Sequence, residues 1–387
     1  MSLSRRSFVR ALGAGGVGAL ALPAISARGL EASWAPAPLR LVRGGPNPLP
    51  IRLDSNENAY GPAPEALAAL QAAHGEANRY PDDTERELTA AIAAEHGIKP
   101  ENVVLGTGST ESLRLCVAAF TSPDRPLVAG VPTFENPVRY AHTLGRRVVE
   151  VPVDRGLGLD LDGMYYAAAA QSAGLVFFCN PNNPTGTVHR ASDTREFVAR
   201  VRRVVPWTVV LIDEAYHEFV DDPGYASMLP LALEDRRVVV ARTFSKAHGM
   251  AGLRIGYAVG HADTIALLKP YRLTNGANIL GASAAMASLR ARARLTEQRR
   301  LNAQALRLTG DFFGRLGYPV GPSQANFVFF DIRQDVKAFR EACLTRGVAV
   351  GRPFPPFETH ARISMGTLDE MRKAFPVFEE VLGTRTQ

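Results

Sequence analysis

One lysine stands among hydroxyls, glycines and an arginine in the string Arg242-Thr243-Phe244-Ser245-Lys246-Ala247-His248-Gly249-Met250-Ala251-Gly252-Leu253-Arg254. A lysine amine can form a Schiff base with a carbonyl carbon, and Thr243, Ser245 and Arg254 together can hold a phosphate dianion. A lone Ser-Lys pair would carry little information, but the whole string behind a β-rich run carries a good deal. Upstream, Val209-Val210-Leu211-Ile212-Asp213-Glu214-Ala215-Tyr216 puts an acid at the end of a run that reads as a strand buried on both faces. An aspartate there is costly unless it is paired. A protonated ring nitrogen is a suitable partner, because the carboxylate keeps it charged and makes the ring an electron sink, and Tyr216 can hydrogen-bond an oxygen on the same ring. The alternative is that Asp213 caps a helix. A third motif, Asn180-Pro181-Asn182-Asn183-Pro184-Thr185-Gly186, follows another apolar run. It sets polar amides and a tight turn at a strand's carboxyl end, where open α/β sheets bind ligands. A purely structural turn would have the same composition.

Strands and helices must carry these residues. After Ile51, short β-rich runs alternate with longer helical patterns, which predicts βα units and a mostly parallel sheet. Seven strands are expected, near 103–105, 127–130, 148–151, 175–179, 209–213, 238–242 and 255–259, with helices including 110–120, 136–144 and 192–204. The charged, Gly-poor run 283–316 predicts an extended helix, with room for a break, leading out of this large domain. A smaller α+β unit follows, with strand-like 326–331, 348–350 and 362–365 and helices over 335–346 and 368–382. The expectation is an α/β fold with a three-layer large domain over 51–285, its first residues running with the small domain, and a C-terminal domain over 286–387.

Three further stretches accompany those motifs in a fixed order: Leu53-Asp54-Ser55-Asn56-Glu57-Asn58, Arg79-Tyr80-Pro81-Asp82 and Gly106-Thr107-Gly108-Ser109-Thr110-Glu111. With them, the chain from about Ile51 to Val381 resembles the fold-type I pyridoxal 5′-phosphate (PLP) aminotransferases of class I/II, and is most similar to the histidinol-phosphate aminotransferase family. The resemblance implies PLP carried covalently by Lys246, with Asp213 at the ring nitrogen and Asn183 and Tyr216 at the ring oxygen. It implies a phosphate held by the N–H groups of Ser109 and Thr110 at a helix N-terminus, by Thr243, Ser245 and Arg254, and by Tyr80 reaching in from a second subunit, hence a homodimer. Phe134 takes the place of an aromatic that stacks on the ring, where the family often has tyrosine. Arg362, in Ala361-Arg362-Ile363-Ser364-Met365-Gly366-Thr367, matches the arginine that grips the substrate's acidic group, a surface arginine being the bland alternative.

The activity implied is amino transfer between an amino acid or amino phosphate and a 2-oxo acid. The same fold and lysine serve lyase and decarboxylase chemistry, which stay open, and a non-catalytic exported binding protein is the remote alternative. Departures bear on the substrate. Asn58-Ala59-Tyr60-Gly61 replaces the family's Asn-Pro-Tyr-Gly, and the N-terminal arm offers no clear equivalent of the segment that closes over the phosphate of histidinol phosphate. Gly351-Arg352-Pro353-Phe354-Pro355-Pro356-Phe357 varies the loop that carries a second basic contact, with Arg352 as the candidate. These departures set the expectation that α-carboxylate donors serve better than histidinol phosphate.

The 387 residues, 46% hydrophobic and 21% charged, suffice for a full core in more than one domain. The formal net charge of +6 includes Arg5, Arg6 and Arg10, and no basic block is interleaved with aromatics, which argues against a nucleic-acid surface. Cys116, Cys179 and Cys343 are odd in number, far apart and set in apolar surroundings, which suggests neither a disulfide framework nor a metal site. At the N-terminus, Ser4-Arg5-Arg6-Ser7-Phe8-Val9-Arg10, an apolar run to Leu22 and small residues to Ala27 resemble a twin-arginine signal over 1–27, followed by a linker arm over 28–50. The run is short for a membrane span. The expectation is export by the twin-arginine machinery to the periplasm or beyond, with no membrane segment in the mature form.

Overall fold

The computed structural model describes residues 50–383. The leader and nearly all of the linker arm, with Arg5 and Arg6, lie outside the described residues. β1 (Ile51–Leu53) is followed by seven strands that make one sheet: β2 (Val103–Thr107), β3 (Leu127–Val131), β4 (Val148–Pro152), β5 (Leu175–Cys179), β6 (Val209–Asp213), β7 (Val238–Thr243) and β8 (Ile255–Gly260). Their order is β2-β8-β7-β6-β5-β3-β4. β8 runs antiparallel to both neighbours and every other pairing is parallel. All seven expected strands are present.

Alternation along the central strands explains the three layers. Leu175 and Phe177 of β5 and Val209 and Leu211 of β6 pack with Leu113, Cys116 and Val117 of the helix Ser109–Phe120. The intervening Val176, Phe178, Val210 and Ile212 pack with Met164 and Ala168 of the helix Leu161–Gln171 and with Phe197 and Val201 of Ala191–Val204. A strand covered on both faces reads as an unbroken apolar run, which is how β5 and β6 look in the sequence.

The C-terminal part has two short sheets. β9 (Phe327–Asp331) pairs antiparallel with β11 (His360–Ser364), and β1 pairs in parallel with β10 (Val348–Val350), so the first described strand belongs with the last third of the chain. Phenylalanines fill this core, with Phe312 and Phe375 stacked at 4.1 Å. The long run 283–316 is two helices, Ile279–Arg290 and Arg292–Arg315, meeting at Ala291. Thr367 and Glu370 form a reciprocal capping box that starts the closing helix Leu368–Leu382. No described helix is long and apolar enough to cross a membrane.

Candidate active site

The carboxyl ends of β5, β6 and β7, the start of the helix Ser109–Phe120 and the strand β11 border one cleft of about 470 Å³. Asp213, the last residue of β6, is 2% exposed, and its Oδ1 accepts a hydrogen bond from the Ala215 N–H at 3.1 Å. A short 3-10 turn, His217–Phe219, follows rather than an α-helix, so Asp213 turns the chain into the cleft and caps no α-helix. Burial raises its pKa to about 7, against the pull of the Ala215 N–H and the Lys246 charge, and nearby Glu214 adds to the rise.

Lys246, in the turn after β7, donates from Nζ to the Asn56 carbonyl at 3.1 Å. Burial lowers its pKa to about 8, helped by the charges of Arg362 and Arg254 and opposed by Glu57 and Asp213. A lysine so placed has a larger neutral fraction near physiological pH than a solvated lysine. Tyr216 lies beneath it, with Nζ 5.7 Å from the ring centroid, and is held edge-on by Phe327. The Asn turn divides its work. Asn182 ties the turn to Pro132, Thr133 and Thr185, while Asn183 reaches the cleft and accepts from Arg362 Nη1 at 2.8 Å.

One corner of the cleft is built for an anion. Ser109 and Thr110 open a helix whose N-terminus has no side-chain cap. Gly108 has φ +72°, and a Cβ on it would collide with the Arg254 guanidinium, while a Cβ on Gly256 would strike the Ser109 amide and the Gly108 carbonyl carbon. Only glycine permits this approach of backbone and guanidinium. Thr243 Oγ1 donates to Ser245 Oγ at 3.0 Å, and Arg254 Nη1 donates to the same oxygen at 3.2 Å and to the Ala251 carbonyl at 2.7 Å. Among the described ion pairs Arg254 has no carboxylate partner, so helix N–H groups, two hydroxyls and an uncompensated charge share one corner.

Arg362 is 7% exposed, which removes the surface alternative. Nη1 meets Asn183, Nη2 donates to the Asp54 carbonyl at 2.7 Å, and Nε is buried without a partner. Phe354 and Phe327 flank the guanidinium. Arg352 is more exposed, stacks on Phe354 at 4.1 Å and pairs with Glu135. Phe134 lines the cleft beside Glu135. Tyr80 is 82% exposed and lies outside the cleft of its own chain. Twelve of the thirteen expected site residues thus border one space, and three others that the motifs did not single out, Asn56, Glu135 and Arg340, border it too. Behind the site, Glu214 and Arg242 form a buried ion pair at 2.8 Å, completed by Ser227 and the Met228 N–H.

Residues 50–377 match the model of the class I and II aminotransferases. A histidinol-phosphate aminotransferase of Moorella thermoacetica is 35% identical over 335 residues, 86% of this chain and 85% of the relative. A crystal structure from Erwinia carotovora atroseptica superposes with TM-score 0.82 at 34% identity, covering 86% of this chain and 95% of that one. The histidinol-phosphate aminotransferase of Sinorhizobium meliloti, solved in complex with pyridoxal-5′-phosphate, gives TM-score 0.80 at 28% identity over 86% of this chain and 91% of its own. The chain belongs to the class I and II aminotransferase family.

Proposed function

We propose that this aminotransferase uses pyridoxal phosphate, carried on Lys246, to move an amino group from a donor with an anionic end to a 2-oxo acid. The observation that carries the reading is that Lys246 Nζ, Asp213, the anion corner and Arg362 border a single cleft. The cofactor suits these residues. Asp213 is a buried carboxylate with no cationic side chain in hydrogen-bond contact among the described residues, the need a ring cation meets, and the two glycines keep open a cradle for a phosphate.

When bound, pyridoxal phosphate supplies a reactive carbonyl carbon and a ring that takes up electrons from the substrate's α-carbon. The chain does the rest. Ser109, Thr110, Thr243, Ser245 and Arg254 would hold the phosphate, and the Asp213 carboxylate would keep the ring nitrogen protonated. Asn183 and Tyr216 would hydrogen-bond the ring oxygen, and Phe134 would cover a face of the ring. Lys246 Nζ would be the base that takes the proton from the donor's α-carbon and hands it on within the cleft. Arg362 would fix the donor's anionic group through parallel N–H bonds, a geometry that lysine does not reproduce.

Three arginines, Arg340, Arg352 and Arg362, border the cleft, and Glu135 pairs with Arg352, which supports a dianionic end on the donor. The relatives named as histidinol-phosphate aminotransferases support the same choice, so histidinol phosphate is the first donor to test, ahead of the α-carboxylate donors that the motif departures favour. Arg340 is what those departures leave out. In the test, specificity constants for histidinol phosphate and a panel of amino acids are compared in wild type and in Arg362→Lys. Arg362→Lys should lose on the order of tenfold or more with anionic donors, the equivalent of one charge-assisted contact. Preference for an amino acid would reassign the donor, and turnover of none would sink the aminotransferase reading.

A homodimer is proposed from Tyr80. Its exposure fits a residue whose place is a neighbour's phosphate site, since a tyrosine ring so open to solvent has apolar surface left to cover. Tyr80→Phe should weaken cofactor affinity several-fold, and sedimentation of the wild type should give a dimer; a fully active monomer would contradict this. Export is proposed from Arg5 and Arg6. Replacing both by lysine should leave cofactor-loaded protein in the cytoplasm, and unchanged export would refute dependence on the pair.

A further inference from the structure

Asn56 is the most connected polar residue of the cleft, although it sits in a loop. It is 1% exposed and holds φ +54°, a left-handed conformation that asparagine tolerates better than most residues. Its N–H donates to Ser364 Oγ at 2.9 Å, and Ser364 Oγ donates in return to Asn56 Oδ1 at 2.8 Å. Since the serine oxygen already accepts the backbone N–H, its own proton goes to Oδ1, and that exchange sets the amide so that Nδ2 faces Tyr216 Oη at 3.0 Å. The Asn56 carbonyl accepts from Lys246 Nζ and from Asn326 Nδ2, each at 3.1 Å. One residue therefore joins side chains at the ends of β6 and β7 to Ser364 of β11 and to Asn326 just before β9.

We infer that Asn56 is a positioning residue that fixes the Tyr216 hydroxyl as a donor into the cleft and holds the Lys246 amine, tying both to the C-terminal sheet through Ser364 and Asn326. The physical reason lies in donor counting. Nδ2 is a donor only, so its bond occupies a lone pair of Tyr216 Oη and leaves the phenolic proton to point toward the cleft that Tyr216 lines. A hydroxyl with no such donor would turn. The inference rests on the proposed cofactor and deepens that reading, because the receiver of the Tyr216 proton is the ring oxygen.

Charged and titratable groups from every packed element face the same space. They are Asp213 from β6, Arg254 from the loop after β7, Arg362 from β11, Glu57 from the segment after β1, and Cys179 behind Tyr216. None of them changes when Asn56 is replaced by glycine. Glycine also suits φ +54° and keeps the carbonyl that meets Lys246, so Asn56→Gly removes the side-chain amide alone.

The experiment is a pH titration of the visible absorbance of the cofactor-loaded protein. In Asn56→Gly the midpoint should rise by about one pH unit, because a ring oxygen that loses a donor holds its proton more tightly. Tyr216→Phe should give a similar rise, and adding Asn56→Gly to Tyr216→Phe should give little more, since the effect passes through the hydroxyl. With the best donor, Asn56→Gly should lower kcat more than it raises KM. Ser364→Ala, which frees the amide without touching Asn56, should move the midpoint in the same direction and carries the test if Asn56→Gly does not fold. An unmoved midpoint in Asn56→Gly, or a full shift that persists in the Tyr216→Phe background, overturns the inference and leaves the proposed function standing. A wild type with no visible band overturns both.

Discussion

Lys246→Ala should abolish the aldimine band of the holoprotein and lower turnover by at least about 10⁴-fold, the upper range for a group that both moves a proton and forms a covalent bond. The fold should survive. Lys246 is buried with its charged form disfavoured, so its removal takes away a cost as well as a contact. The Asn56 carbonyl is not orphaned, because Asn326 Nδ2 still donates to it. The anion corner contains no atom of Lys246, so the variant should still bind the cofactor reversibly, with its phosphate retained and its link to the chain lost. Circular dichroism should therefore be unchanged while the band is absent. In the wild type, borohydride reduction followed by peptide mapping should mark Lys246, and a mark on any other lysine would remove it from the reaction.

The residues that were legible in the sequence share one property: each stands within a few positions of the apolar run that carries it. Asp213 ends β6, Lys246 follows β7 by three residues, and the helix of Ser109 and Thr110 follows β2, so local pattern fixed their placement at the sheet's carboxyl edge. What local pattern does not contain is the partner across the cleft. Asn56 lies 160, 190 and 308 positions from Tyr216, Lys246 and Ser364, and nothing in Asn56-Glu57-Asn58 announces those bonds. Arg340 on the helix Val336–Thr345 and Glu135 before the helix Asn136–Thr143 read as ordinary exposed charges. The break expected somewhere in 283–316 had no readable position for a different reason: Arg290-Ala291-Arg292 contains neither glycine nor proline, and the two helices dock on different cores. The Asn turn was ambiguous because both of its readings are correct, for different residues.

Asp213→Asn should keep the cofactor and lose turnover by roughly 10²–10⁴-fold, because a neutral amide does not hold the ring nitrogen protonated and the ring then accepts electrons poorly. Near-normal turnover would remove Asp213 from that role. A second signature appears without cofactor. The native pKa of Asp213, about 7, lies above its ordinary value of 3.8, so between these values the folded chain binds a proton that the unfolded chain releases. Stability carried by the protonated carboxyl is thus fully present below about pH 4 and is lost as pH rises toward 7, where the buried carboxylate must ionise unpaired. Asparagine is neutral throughout and lacks this slope. Thermal unfolding of cofactor-free wild type and Asp213→Asn at several pH values separates the contribution from those of other groups, which cancel in the difference. The wild type should lose ground to the variant from about pH 4 to 7, and saturating cofactor should restore it by giving the carboxylate a cation. Parallel curves for the two proteins would mean that Asp213 finds compensation elsewhere and that its ionisation is not what the ring cation stabilises.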